Sequence, residues 1–210
     1  MDLIIVGTGG HAKEIAFLID RTNLYNLIGF VDDNQENWQK TICGKKVLGA
    51  RQILLSYSNE IAVVIGMANP LIKKQIYNDL KQNHNLFFPN IVDSTALVGI
   101  GIKMGIGNIL MPYTTYTSDI TIGDFNMFNI NTTIGHDTTI ENFNSFFPNV
   151  NVSGNVQIAN CNQFGVGTKI IQGISIGNEN IVGAGSVVIR NIDNCTKNVG
   201  VPTRTIESWG

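Results

Sequence analysis

Charge is scarce in this sequence. Asp, Glu, Lys and Arg make up 14% of its 210 residues and the formal net charge is −2, so no basic footprint for nucleic acid stands out. Long apolar runs are also missing. None approaches the roughly 18 residues of a membrane span, and Met1 leads into Leu3-Ile4-Ile5-Val6 without the basic flank and cleavage site of a secretory leader. Cysteine is limited to Cys43, Cys161 and Cys195, odd in number and without CxxC spacing. That pattern argues for free thiols in the cytoplasm and against a disulfide framework or a zinc site.

Glycine, by contrast, is abundant at 22 residues, and a hydrophobic fraction of 43% speaks against disorder. A period of six accounts for it. From Val98, steps of six reach Met104, Leu110, Tyr116, Ile122, Phe128, Ile134, Ile140, Phe146, Val152, Ile158, Phe164, Ile170, Ile176, Val182 and Val188. All sixteen positions are apolar or aromatic. Glycine follows many of these anchors, at 99, 105, 123, 135, 165, 177 and 183. Four residues past each anchor lie small or β-branched residues (Thr132, Val150, Val156, Thr168, Ile174, Ser186) or asparagine, at 108, 126, 144, 162 and 180.

Such a period fits neither a helix nor a hairpin sheet, but it fits a solenoid of short parallel strands joined by corners. The anchors would point inward and the glycines would admit the tight corners. Three hexads close one triangular coil, giving roughly five coils stacked about 4.8 Å apart. The eighteen-residue asparagine spacing predicts an inward ladder of amides from coil to coil. A β-sandwich would instead need period-two runs at irregular spacing.

The first half reads as strands alternating with helices, hence a parallel sheet of about four strands. Leu3–Val6, Leu27–Val31, Ile61–Ile65 and Leu86–Phe88 are the strands. One helix carries Ile15, Leu18 and Ile19 on one face, and a second, opened by Pro70, carries Ile72, Ile76 and Leu80. Gly7, Gly9 and Ala12 fit the G-x-G-x-x-G/A dinucleotide fingerprint, with Asp32 twenty residues beyond Ala12. The alternative is a tight strand-to-helix turn whose glycines only let the helix pack. About ninety residues leave no room for a second mononucleotide half, which argues against an NAD enzyme. Half a Rossmann unit survives: a helix N-terminus for an anion and the acidic pair Asp32-Asp33 for ribose or base donors.

Three histidines are present. His84 sits at a helix end, where the dipole explains it. His11 opens the first helix beside the glycine turn, as a ligand contact or a surface residue. His136 stands inside the repeat, two positions past an anchor, and so points outward near a corner. Imidazole suits the removal of a proton from an attacking amine or hydroxyl, and Asp137 could orient it if the corner turns. An outward His-Asp pair could equally be plain surface. Zinc chemistry of the solenoid carbonic anhydrase type would need three histidines, and the repeat holds one.

Residues 95–206 resemble the hexapeptide-repeat acyltransferases. The chain as a whole resembles the bacterial sialic acid O-acetyltransferase and nucleotide-aminosugar N-acetyltransferase group. The carrying stretches are Gly7-Thr8-Gly9-Gly10-His11-Ala12-Lys13-Glu14, Phe30-Val31-Asp32-Asp33, Leu110-Met111-Pro112-Tyr113, Ile134-Gly135-His136-Asp137, Ser153-Gly154-Asn155-Val156 and Val199-Gly200-Val201-Pro202. The resemblance implies a left-handed parallel β-helix (residues 93–210) after a small α/β nucleotide-sugar-binding domain (1–92). It implies a homotrimer with donor sites between subunits, acetyl-CoA as acyl donor, and no metal.

It also implies residue roles: His136 as base, Asp137 as its orienting acid, and Asn129 in the same pocket. Gly154 would donate its backbone N–H to the thioester carbonyl, with Val166 and Ala184 further along the CoA arm. Gly9, Gly10, His11, Asp32, Asp33 and Gly66 would contact the sugar nucleotide. Some members carry a second histidine nine residues after the base, as an acetyl-CoA contact; Ser145 stands there, and Gly135 replaces an acidic residue that others carry. The expected activity is acetyl-CoA-dependent N-acetylation of a nucleotide-linked amino sugar for surface glycan synthesis. O-acetylation of a sialic acid or other sugar is the alternative, and a non-catalytic assembly protein is a third reading.

Overall fold

Leu3, Ile4, Ile5 and Val6 are buried on both faces of the first strand, β1 (Asp2–Val6), as an unbroken apolar run requires at the centre of a parallel sheet. The computed structural model describes residues 1–210, and two compact units emerge, 1–91 and 92–210. In the first, β1 is followed by α1 (Gly10–Thr22), β2 (Asn26–Val31), β3 (Ile61–Ile65), α2 (Pro70–Leu80) and β4 (Leu86–Phe87). The sheet runs β2-β1-β3-β4, all parallel, as the alternation of elements predicts.

Helix α1 buries Ala12, Ile15, Ala16, Leu18 and Ile19. Asn69 caps α2 by accepting from the N–H groups of Leu71 and Ile72, ahead of Pro70. The buried face of α2 is Pro70, Lys73, Ile76 and Leu80, so Ile72, expected inside, is exposed. Phases through 72 and through 73 both reach Ile76 and Leu80 at helical spacing, and tertiary packing selects the latter.

The second unit is a solenoid of three parallel sheets, with register advancing by eighteen residues: Tyr116 pairs with Ile134, Ile134 with Val152 and Val152 with Ile170. The first face carries Ile109–Leu110, Met127–Phe128, Ser145–Phe146, Gln163–Phe164 and Ile181–Val182. The second carries Thr115–Ser118, Thr133–Ile134, Asn151–Val152, Lys169–Ile170 and Val187–Val188. The third carries Thr121–Ile122, Thr139–Ile140, Gln157–Ile158 and Ser175–Ile176. The coil is left-handed. It begins with Ile91–Val92 and makes about six turns, one more than the anchors suggest. Thr196–Val199 then pairs antiparallel with Arg204–Ser208 at the far end, a hairpin that the hexad does not announce.

Anchors from Leu110 to Val188 are buried, and the rings of Phe128, Phe146 and Phe164 stack at 4.8 Å, the spacing of adjacent strands. Val98 is an exception. As the first anchor it is 48% exposed, because its strand, Leu97–Ile100, is the edge of its sheet with no coil before it.

The corners differ from expectation. Left-handed backbone falls three residues past the anchors, at Asp119, Asn131, Asp137, Asn149 and Asn155 among others, and not at the glycines that follow the anchors. Those glycines answer a different need. A Cβ on Gly135 would lie 2.6 Å from the Gly154 nitrogen, and one on Gly165 would lie 2.5 Å from that of Ala184. They are glycine because the next coil comes too close for anything larger.

The asparagine ladder forms as the spacing predicts. Asn108, Asn126, Asn144 and Asn162 are fully buried, and each Oδ1 accepts from the backbone N–H of the next, at 2.8–2.9 Å. A second ladder, Asp124, Asn142, Asn160, Asn178 and Asn194, runs along another edge. Asn144→Ala removes the acceptor for both the N–H and the Nδ2 of Asn162. Nδ2 keeps the Ala159 carbonyl at 3.2 Å, but the orphaned Asn162 N–H costs about 1–3 kcal/mol, so a clear fall in urea midpoint is expected. An unchanged midpoint would contradict the ladder's energetic role.

Candidate active site

His136 and Asp137 occupy the corner between the second and third faces. Asp137 has φ of 58°, and that left-handed turn is what brings its carboxylate back: Oδ2 lies 2.7 Å from His136 Nδ1. The condition set by the sequence, that the corner must turn, is met. With Nδ1–H donating to Asp137, Nε2 carries the free lone pair and can take a proton from a nucleophile. Both side chains are more than 60% exposed.

One coil on, Gly154 lies against the ring, and its N–H donates to nothing else in the chain. Together with Asn155, Gln172 and Gly173 these residues line a shallow cleft of about 290 Å³. A base and an unpaired donor side by side are the two parts that acyl transfer requires.

Val166 and Ala184 also have backbone N–H groups without partners, and both are exposed. They lie on the corner between the first and second faces, so one chain does not bring them to His136. Asn129 starts that same corner. It is buried, with Oδ1 accepting from the Ile130 N–H at 2.7 Å, and within one chain it is a full face away from His136. Ser145 is fully buried. It presents no surface to a donor, so the acetyl-CoA contact expected there is withdrawn.

In the first unit, the N-terminal turn of α1 is open. A Cβ on Gly9 or Gly10 would meet nothing within 4 Å, and neither residue has positive φ. Neither packing nor conformation demands glycine there, whereas close approach of a ligand would. Gly66 is different: a Cβ would lie 2.8 Å from that of Ala12, so this glycine lets α1 pack against the end of β3. The tight-turn alternative accounts for Gly7, whose φ is 100° and where a Cβ would lie 2.5 Å from Met67 Cε, but gives no reason for Gly9.

His11 is nine-tenths buried. Its Nδ1 is 3.4 Å from Glu14 Oε2, and its Nε2 is enclosed with no partner in the chain, a costly state for a polar atom. Asp32 accepts from the Thr8 hydroxyl and, at 2.9 Å, from the Asn34 N–H. Asp33 gives both oxygens to Arg51, to the backbone N–H at 3.1 Å and to the guanidinium at 2.8 Å. His84 is exposed in the turn after α2.

Residues 2–80 match the PglD N-terminal domain family. No curated protein matches the sequence. Solved structures match along nearly the full length. The acetyltransferase domain of PglB from Neisseria gonorrhoeae is 25% identical, with 98% of this chain and 99% of that one covered and a TM-score of 0.90. WeeI from Acinetobacter baumannii is 26% identical, with coverage of 98% and 100% and a TM-score of 0.89. Over nearly its whole length, then, this chain is similar to solved acetyltransferase structures, and its first eighty residues to the PglD N-terminal domain. Perosamine N-acetyltransferase from Caulobacter crescentus, solved with CoA and GDP-perosamine, shares the fold at 22% identity, with 99% and 98% covered and a TM-score of 0.90.

Two residues of the first unit stand out that the motifs do not single out. Arg51 bridges Asp33 and Asp79 of α2 at 2.8 Å each, and Thr8 ties the glycine turn to Asp32 while accepting from Asn37. Arg51 lies eighteen residues from Asp33, and no local spacing rule connects such a pair. Thr8 lies inside the glycine motif, at a position that the fingerprint leaves open.

Proposed function

We propose that the protein is an acetyl-CoA-dependent N-acetyltransferase acting on the amino group of a nucleotide-linked 4-amino-deoxy sugar, in the cytoplasm, for surface glycan synthesis. The observation that carries this reading is the His136–Asp137 pair beside the unpaired Gly154 N–H. The amine attacks the thioester carbonyl, Nε2 of His136 takes the amine proton, and Asp137 holds the ring in the tautomer that leaves Nε2 free. The Gly154 N–H stabilises the oxyanion of the tetrahedral intermediate. Its collapse breaks the C–S bond, and the thiolate of CoA leaves and is protonated.

The second unit, assigned to 93–210, holds the donor, with Val166 and Ala184 offering N–H groups to the CoA arm. Because those two lie on a different corner from His136, a single chain cannot present all the parts to one donor. A neighbouring copy can, which supports a homotrimer with shared sites.

The first unit, assigned to 1–92, holds the nucleotide sugar. Gly9 and Gly10 receive an anionic group at the α1 N-terminus, His11 Nε2 gains a partner, and the Asp32-Asp33 end of β2 reaches ribose or base. Asn129 and Gly66 belong to the same assignment by resemblance, Gly66 through packing. Gly10→Leu places a side chain where the structure has open space, so the fold should persist while nucleotide-sugar binding is lost. Asp32→Ala should weaken it. Calorimetry should find acetyl-CoA binding unchanged in both. Unchanged acceptor affinity in both variants would mean the acceptor is held elsewhere, and would favour a sugar hydroxyl acceptor.

A further inference from the structure

We infer that Gly154 has a second duty beyond its N–H: the absence of its side chain is the seat that positions the His136 imidazole. This rests on the reading of His136 as the base. The positions two past the anchors stack along one corner as Ser118, His136, Gly154, Gln172 and Arg190, and Gly154 is the one glycine among them. Glycine is kept for positive φ or for close approach, and Gly154 has no positive φ.

What requires glycine there is the ring. The three atoms nearest a Cβ at Gly154 are all imidazole atoms of His136: Nε2 at 2.5 Å, Cε1 at 2.6 Å and Cδ2 at 2.9 Å. These form the edge that carries the proton-accepting nitrogen. The ring is thus held at Nδ1 by Asp137 and supported at Nε2 by bare backbone, while the His136 carbonyl accepts from the Asn155 N–H at 2.7 Å. Any side chain at 154 pushes Nε2 away from the spot beside the Gly154 N–H where the thioester carbonyl must lie. Gly154 is in this duty a positioning residue.

The test is Gly154→Ala, which keeps the N–H and adds only the methyl. His136 is 64% exposed, so the ring can swing into solvent and the fold should hold. Displacement by about 1 Å can cost on the order of 10²-fold in rate. A fall in kcat of tenfold or more is expected, with acetyl-CoA affinity unchanged. With three histidines in the chain, imidazole NMR signals are readily assigned, and those of His136 should lose the signature of its Asp137 hydrogen bond.

In a His136→Ala background the same methyl meets no ring, so the two losses should not add. If Gly154→Ala folds poorly, the double variant should regain the melting temperature of His136→Ala. Normal turnover in Gly154→Ala overturns the seat, as do additive losses or a double variant that stays unstable. If instead His136→Ala itself turns over normally, the base assignment fails and the seat fails with it. A crippled His136→Ala beside a normal Gly154→Ala removes the seat alone.

Discussion

His136→Ala is expected to lower kcat by roughly 10²–10⁴-fold, the range of a general base in proton transfer, with acetyl-CoA affinity unchanged. The side chain is 64% exposed at a corner, so its removal should leave the fold intact. Asp137→Asn should cost less. An amide can still accept from Nδ1–H and keep the tautomer, but it loses the charge that favours the imidazolium once the proton arrives. Steady-state kinetics with saturating donor and acceptor separate the two variants. A His136→Ala enzyme with near-normal turnover would remove the mechanism.

Ile158→Asp should abolish the folded solenoid. Ile158 is 1% exposed, pairs with Ile140 before it and Ile176 after it, and belongs to the one apolar column that runs the length of the coil. Its burial is worth about 1.5–3 kcal/mol, and a carboxylate in its place adds several kcal/mol of desolvation without a partner. Together they are a large share of the roughly 5–15 kcal/mol that holds a domain. Because each coil is stabilised mainly by its neighbours, the damage propagates. Circular dichroism should find no folded solenoid; a cooperative melt at the parent temperature would contradict this account of the core.

The hexad is so legible because its signal is geometric. Each inward position is repeated, and Phe128, Phe146 and Phe164 stand eighteen residues apart because that is one turn. The asparagine ladder follows from the same step. What the sequence hides is anything set by proximity between elements. Gly135 and Gly165 read as corner residues, yet their reason is the backbone of the next coil. Tyr113 and Phe125 take left-handed corners that composition would not assign to aromatics, because the coil imposes the turn on whatever residue falls there. At the site, the outward direction of His136 was readable from its place after Ile134. The contact with Asp137 depended on a φ value, and the open space at Gly9 and Gly10, against the crowding at Gly66, could not be told from the letter G.

The most direct measurement is a panel of UDP-, GDP- and dTDP-linked amino sugars incubated with acetyl-CoA, with thiol release followed continuously and the product checked by mass spectrometry. Acetylation of the sugar nitrogen in at least one of these substrates, dependent on His136 and blocked by Gly10→Leu, is the predicted result. Thiol release with free sialic acids or sugar hydroxyls and with none of the nucleotide amino sugars would contradict it.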